Sequence, residues 1–203
     1  MSIFEVASII GSVAFATSGF LVGIRKNLDL MGIFIVSMIT ANGGGTIRDL
    51  LVNKTPGVLS DERAFILVIL VITFGIILKL HKKRDIENKK LFILSDALGL
   101  ASFGITGALV AVESGLGIFG VMVLAFITAT GGGIIRDIMV NEVPAILSSG
   151  FYGTIAISQG ILIYALSEFS MNNEFNIAII FILTLLIRII AYWRNWRLPR
   201  IKI

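Results

Sequence analysis

The sequence lacks cysteine altogether and has a single histidine, His81, which lies in a run of basic residues. The absence of cysteine excludes disulfides, thiol catalysis and cysteine-ligated zinc sites. Because no histidine lies in an apolar segment, neither a histidine-assisted serine nucleophile nor a histidine metal site can form inside a membrane. We therefore expect neither an enzyme nor a cofactor.

Charged residues are also scarce, at 15% of 203 residues, whereas hydrophobic residues make up 56% and the mean hydropathy is +0.96. A soluble domain cannot bury so much apolar surface, so the composition predicts an integral membrane protein. The net charge of +4 comes from basic residues that flank apolar runs. This pattern orients membrane proteins, so nucleic acid is not an expected partner.

Apolar runs predict seven transmembrane helices, because about 20 residues cross the hydrocarbon layer. The predicted spans are 3–24, 30–52, 64–80, 91–112, 116–140, 149–168 and 175–193. The one longer link is a basic loop, 81–90, so residues 1–203 are predicted to form a single all-α membrane domain.

Basic residues predict the orientation of the spans, since they are enriched on the cytoplasmic side. The other side receives only Lys54 and Arg63, so the N-terminus is predicted to lie outside and the C-terminus in the cytoplasm. The basic loop is also a candidate contact for anionic lipid. The basic side receives Arg25, Lys26, Lys79, Lys82, Lys83, Arg84, Lys89, Lys90, Arg194, Arg197, Arg200 and Lys202.

Two glycine-rich phrases lie 88 positions apart: residues 40–49 read TANGGGTIRD and residues 128–137 read TATGGGIIRD. The similarity extends upstream, where Ser18 corresponds to Thr106. Residues 1–80 and 91–168 are therefore predicted to be two copies of a unit of three spans. Because three is odd, the copies enter the membrane from opposite sides, which is an inverted repeat common among transport proteins. Residues 169–203 add a seventh helix and a basic tail.

The glycine triplets are the first candidate site. Each glycine costs about 1 kcal/mol relative to alanine inside a helix, so we expect spans two and five to be interrupted there. An interrupted helix exposes carbonyls that attract cations and amides that attract anions. Nearby side-chain oxygens and one carboxylate favour a cation. The predicted pathway residues are Gly43, Gly44, Gly45, Gly131, Gly132, Gly133, Thr40, Asn42, Thr128, Thr130, Ser18, Thr106 and Asp96.

An arginine–aspartate pair follows each triplet: Arg48 with Asp49, and Arg136 with Asp137. Buried charges are costly in a membrane, and helix geometry places one pair near each end of the bundle. The pairs are predicted to act in gating or as structural locks. An alternative for the triplets is that they only allow close crossing of helices.

Small residues in spans one and four, together with the glycine-rich spans two and five, predict an inner set of four helices that line the pathway. Spans three and seven consist mainly of bulky aliphatic residues, which predicts that they face lipid or other subunits.

The paired Gly-Gly-Gly-x-x-Arg-Asp phrases, seven spans and this length resemble the prokaryotic members of the trimeric intracellular cation (TRIC) channel family, also described as glycine-transporter-like. The resemblance implies a homotrimer with one potassium-permeable pore in each subunit, kinked at the triplets, in a bacterial cytoplasmic membrane. A monovalent cation channel, for potassium with sodium as a second candidate, is the expected function. The alternative is a secondary transporter of glycine or another small amino acid.

Overall fold

The structure is a computed structural model that describes residues 2–82, 85–148, 151–196 and 198. Throughout these ranges the secondary structure is helical, with no β-strand. Five of the basic residues that predict the topology, Lys83, Arg84, Arg197, Arg200 and Lys202, lie outside the described residues.

Seven helices of 15 residues or more form the described bundle, and a four-residue helix follows each of the two glycine-bearing helices. A short 3₁₀ turn, Leu80–Lys82, precedes the second half of the chain. The helices are α1 (Ile3–Arg25), α2 (Leu30–Leu51), α3 (Gly57–Ser60), α4 (Arg63–Ile77), α5 (Asp85–Glu113), α6 (Ile118–Met139), α7 (Ala145–Ser148), α8 (Gly153–Glu168) and α9 (Glu174–Trp193).

The seven longer helices lie where the apolar runs predict spans, but three boundaries differ by three residues or more. Helix α4 ends at Ile77, and Lys79 then has a left-handed backbone with φ of 54°, which stops the helix before the predicted residue 80. Helix α5 begins at Asp85, so part of the predicted loop 81–90 is helical. Helix α8 begins at Gly153 rather than at 149.

Among the residues that the structure describes, five helices are long and apolar enough to cross a membrane: α1, α2, α5, α6 and α9. Helix α4 is apolar but has only 15 residues. The prediction of an all-α protein with apolar, membrane-length helices is confirmed, and the count of seven crossings stays a prediction.

The two repeats meet through equivalent residues. Phe15 of α1 and Phe103 of α5 are 88 positions apart, and their ring centroids lie 5.3 Å from each other. The turns are matched as well, since Asn53 and Asn141 both have a left-handed backbone at the ends of α2 and α6. The two halves of the bundle therefore meet through residues that are 88 positions apart, and the inverted repeat stays a prediction.

Helix α2 is less enclosed than predicted. Only 28% of its most apolar stretch is buried, the same share as in α9. Leu30, Met31 and Ile35 leave one side of α2 exposed. The expectation that span two belongs to the inner set of helices is therefore wrong for this face, because α2 packs against α1, α4 and α6 on its other sides.

Candidate functional site

The glycine triplets do not interrupt their helices. Helix α2 is continuous through Gly43–Gly45, and α6 is continuous through Gly131–Gly133. The prediction of freed carbonyls and amides at these positions is therefore wrong. The triplets instead lie where the two helices cross: a Cβ on Gly44 would lie closer than 3.0 Å to the carbonyl oxygen of Thr128, and one on Gly132 equally close to that of Thr40.

This crossing also gives the direction of the two helices. Gly44 lies opposite Thr128 while Thr40 lies opposite Gly132, so α2 and α6 run antiparallel. Only glycine allows such backbone contact, and this requirement outweighs its low helix propensity. The Arg–Asp pairs that follow each triplet consequently lie toward opposite ends of the bundle.

The predicted threonine oxygens are buried at this crossing and already hydrogen-bonded. The hydroxyl of Thr40 donates to the carbonyl of Val36, and that of Thr128 donates to Leu124, each at 2.6 Å. Thr130 donates to Phe126 at 2.7 Å. Each bond reaches back one helical turn, so these oxygens keep only acceptor capacity.

One end of the bundle, which we call the open end, carries the first Arg–Asp pair. Arg48 Nε donates to Asp49 Oδ1 at 2.8 Å, and the other oxygen of Asp49 accepts from the backbone N–H of Gly57 at 3.0 Å. Both side chains are buried, and the guanidinium lies over the ring of Phe4 at 5.8 Å. Asp49 therefore neutralises Arg48 and anchors the start of α3.

The opposite end, which we call the closed end, repeats this arrangement and adds a second acid. Arg136 Nε donates to Asp137 Oδ1 at 2.8 Å, while the amide of Ala145 donates to Asp137 at 2.9 Å. Arg136 also pairs with Asp96 Oδ1 at 3.1 Å, so the predicted lone carboxylate has a partner. The ring of Phe92 lies 4.9 Å from the guanidinium and takes the place that Phe4 has at the open end.

Each arginine also reaches into the other repeat. Arg48 Nη1 donates to the hydroxyl of Thr106 at 3.4 Å, and Arg136 Nη1 donates to the hydroxyl of Ser18. These two contacts are equivalent under the 88-residue offset. The predicted residues Ser18 and Thr106 are therefore the points where the charged pairs join the two halves.

A cavity of about 480 Å³ enters the bundle at the open end. Its polar wall includes Ser8, Ser12, Asn42, Thr46 and the Arg48–Asp49 pair. Helices α1, α2 and α4 form most of the wall, with Phe103 of α5 at its inner part. Because α4 contributes Arg63, Ala64 and Leu67, the expectation that span three faces only lipid or other subunits is wrong at this end.

A matching cleft lies at the closed end but leaves no volume accessible to water. All eight residues that line it are equivalent, at an offset of 88, to residues that line the open-end cavity. The eight are Thr130, Gly133, Ile134, Arg136, Asp137, Ala145, Ile146 and Tyr152, and their counterparts are Asn42, Gly45, Thr46, Arg48, Asp49, Gly57, Val58 and Ala64.

Sequence reasoning missed Tyr152, which is 2% exposed and points its hydroxyl toward Gly133. It also missed the aromatic partners of the arginines, although Phe4 and Phe92 stand at the same offset as the glycine phrases. Extending the comparison of the two repeats to every pair of aromatic residues would have found Phe4 and Phe92, but not Tyr152, whose counterpart is Ala64.

Ion pairs at the two ends of the bundle lie at equivalent positions, but the acidic and basic residues are exchanged between the ends. Glu142, at the closed end, binds Arg25 at 2.6 Å and Lys26 at 2.8 Å. Its open-end counterpart is Lys54, which lies 4.0 Å from Glu113. Partial burial acts to raise the pKa of Glu142, but the hydrogen bond from Lys26 and the charge of Arg25 outweigh it and lower the pKa below 4.5.

A protein-family model described as "Glycine transporter" matches the chain twice, at residues 5–80 and 93–168. Together the matches cover about three quarters of the chain. The chain belongs to this family, the family of the TRIC cation channels. The predicted family resemblance is confirmed.

Individual relatives extend over nearly the whole chain. The membrane protein YvgT of Bacillus subtilis (strain 168) is 36% identical over 195 residues, which are 96% of this chain and 95% of YvgT. A chain solved for the structural basis for conductance through TRIC cation channels is 35% identical, with a TM-score of 0.87, and the match covers 100% of this chain and 98% of that one.

A TRIC trimeric intracellular cation channel orthologue from Rhodobacter sphaeroides has a TM-score of 0.87 and 29% identity, covering 96% of this chain and 100% of its own. None of these three proteins is described as an enzyme. Because it matches these two solved structures over nearly its whole length, this chain has the fold of the TRIC cation channels.

Proposed function

We propose that this chain is a potassium-permeable monovalent cation channel with one pore inside each subunit. The observation that carries the proposal is the equivalence of the open-end cavity and the closed-end cleft, residue by residue. Two half-paths that enter from opposite ends and are separated by the α2–α6 crossing make a route through the subunit. The fold shared with TRIC cation channels supports the same function.

The chemistry of the open-end cavity favours a cation. Its wall offers neutral oxygens from Ser8, Ser12, Asn42 and Thr46, the type of ligand that holds hard monovalent cations. Glu5 lies on the same wall, and the charge of Arg48 is compensated by Asp49. A passing cation would therefore meet oxygen ligands without an unpaired buried positive charge.

The remaining predicted pathway residues take their places in this proposal. The central crossing that separates the half-paths is formed by the backbones of Thr40, Thr128, Gly43, Gly44, Gly131 and Gly132. Gly45 lines the open-end half, and Gly133 and Thr130 line the closed-end half. Ser18, Thr106 and Asp96 bind the arginines beside the two half-paths. The path would open when the helices around the crossing move apart.

The assembly and topology belong to the same proposal. We infer a homotrimer, for which the exposed side of α2 offers a contact surface. Seven crossings place the N-terminus outside the bacterial cytoplasmic membrane and the basic, closed end on the cytoplasmic side, where Arg25, Lys26 and Arg194 meet lipid headgroups.

Single-channel recording of the purified protein in planar bilayers tests this function. With a potassium chloride gradient, we expect stepwise currents that reverse near the potassium equilibrium potential. A smooth flux that saturates with solute, without unitary currents at any voltage, would overturn the channel proposal.

A glycine carrier is the second candidate, because a cavity open at one end and closed at the other is also a state of an alternating-access transporter. Counterflow of radiolabelled glycine in proteoliposomes distinguishes the two. A carrier accelerates labelled uptake when unlabelled glycine is inside the vesicle, whereas a cation channel does not.

A further inference from the structure

Three of the differences between the two half-paths meet at the closed end. Tyr152 stands where the open end has Ala64, and Asp96 stands where it has Ser8. The third point is Arg188 of α9, a helix that lies outside the repeat and has no counterpart. Tyr152 contacts Arg188, and Asp96 pairs with Arg136, which lines the same cleft as Tyr152, so these differences lie together.

Tyr152 fills the closed-end cleft. Its hydroxyl lies within 3.4 Å of the position that a Cβ on Gly133 would take, whereas the equivalent Gly45 faces the open cavity. Arg136, which pairs with Asp96, lines the same cleft. The ring therefore lies across the half-path, beside the buried charges.

Helix α9 holds the other side of this ring. The guanidinium of Arg188 lies 4.5 Å from the centroid of the Tyr152 ring. Eight residues later, just beyond the end of α9, Trp196 packs edge-on against Phe151 at 5.5 Å. Helix α9 and the residues after it thus contact the two consecutive residues that precede α8.

Arg188 is an unusual residue to bury, since it is 7% exposed in a helix with a membrane-length apolar sequence. Across the described ranges, no carboxylate lies within 4.0 Å of it. The aromatic face is therefore its close partner, and a desolvated cation over a ring is among the stronger contacts of this kind.

We propose that Arg188 is a positioning residue that holds Tyr152 across the closed-end half-path and so couples α9 to its opening. When the guanidinium leaves the ring, Tyr152 can swing out of the cleft while Arg136, Asp96 and Asp137 stay paired. The consequence for ion flow rests on the proposed channel function, but closure of the cleft by Tyr152 and Arg188 does not.

The absence of cysteine from the sequence allows a test that needs no ion current. Thr130→Cys places one thiol on the closed-end cleft, and Asn42→Cys places one at the equivalent position of the open-end cavity. Each protein, purified in detergent so that both ends are reachable, is treated with a cationic methanethiosulfonate reagent. The rate of modification is followed by mass spectrometry.

We expect the thiol of Thr130→Cys to react slowly and that of Asn42→Cys to react fast. Adding Arg188→Leu should speed modification at position 130 by about tenfold, the effect of losing one desolvated cation–π contact. Arg188→Lys, which keeps a cation over the ring, should restore slow modification in part. Modification at position 42 should stay unchanged in every Arg188 variant, which also reports that the fold is intact.

Tyr152→Ala provides the reference for an open cleft. If Tyr152→Ala exposes the thiol at position 130 and Arg188→Leu does not, Arg188 has no positioning role and the proposal fails. Equal reactivity at positions 130 and 42 in the protein with Arg188 and Tyr152 present also overturns it. If Arg188→Leu does not fold, the comparison of Arg188→Lys with Arg188→Gln gives the decision, because only lysine retains the charge.

Recording in planar bilayers then tests whether the contact between Arg188 and Tyr152 controls conduction. If Arg188 acts through Tyr152, Arg188→Leu should raise open probability about tenfold with Tyr152 present and have no further effect on Tyr152→Ala. If Arg188→Leu changes the open probability equally with Tyr152 present and in Tyr152→Ala, Arg188 does not act through Tyr152 and the proposed coupling is overturned. If no current is recorded but the thiols react at the expected rates, the proposed channel function is wrong, whereas the proposed closure of the cleft by Tyr152 and Arg188 stands.

Discussion

Ala64 and Tyr152 occupy equivalent positions of the two repeats, yet Ala64 lines an open cavity and Tyr152 fills the matching cleft. The surrounding frame is the same at both ends: an arginine paired with the next aspartate, a phenylalanine over the guanidinium and a backbone amide on the carboxylate. A few side chains within a nearly symmetric scaffold therefore decide which of the two matching spaces is open.

Introducing the larger residue at the open end should reproduce the closed end. We expect Ala64→Tyr to fill part of the cavity of about 480 Å³ and to lower the unitary potassium conductance several-fold. Ala64→Ser, which keeps a small side chain, is the matched control and should conduct normally. Full conductance of Ala64→Tyr in correctly assembled protein would show that ions do not use this cavity.

The central crossing predicts a sharp difference between neighbouring glycines. A methyl group on Gly44 would collide with the Thr128 backbone, so Gly44→Ala should destabilise the fold by about 1–3 kcal/mol. Gly45→Ala meets no atom closer than 3.8 Å and should be neutral or stabilising, since alanine favours helix. Thermal unfolding of both variants in detergent measures this; equal midpoints would contradict the close crossing.

Asp96 is predicted to act through Arg136 rather than through the permeant ion. Asp96→Asn removes one of the two carboxylates that bind this buried guanidinium and should cost about 1–3 kcal/mol of stability. Because the carboxylate is already neutralised, the reversal potential under a salt gradient should stay unchanged. A shift of that potential toward anion permeability would place Asp96 in direct contact with the ion.

Much of the fold follows from the sequence because hydropathy and the 88-residue offset depend on local composition. Helices such as α1 and α6 begin and end within two residues of their predicted limits. The charged pairs also follow, since a buried arginine needs a carboxylate and Asp49 and Asp137 stand next in the chain.

The glycine triplets and Tyr152 were beyond the same reasoning for different physical reasons. Intrinsic propensity predicts a break at Gly43–Gly45, but the contact between two backbones is a tertiary interaction that propensity does not include. Tyr152 lies after a short connecting segment, where its ring contacts Arg188 from another helix. A pattern within one span contains no information on such contacts.

The surface pairs of Glu142 predict a dependence of stability on pH. The pKa of Glu142 is lower in the folded protein than its ordinary value of 4.5, so its ion pairs stabilise the fold fully above that value. This stabilisation is lost as the pH falls through the folded pKa. Because the side chain is about one-third exposed, the expected loss is only about 1 kcal/mol.

Glu142→Gln should remove this part of the pH dependence, so that its unfolding midpoint approaches that of the unchanged protein in acid and lies below it at pH 7. Glu113→Gln is the matched control, because its partner Lys54 lies 4.0 Å away and the Glu113 side chain is more exposed than that of Glu142. Thermal unfolding between pH 7 and pH 3 measures both variants. Parallel curves for Glu142→Gln and the unchanged protein would mean that the contacts with Arg25 and Lys26 do not stabilise the closed end.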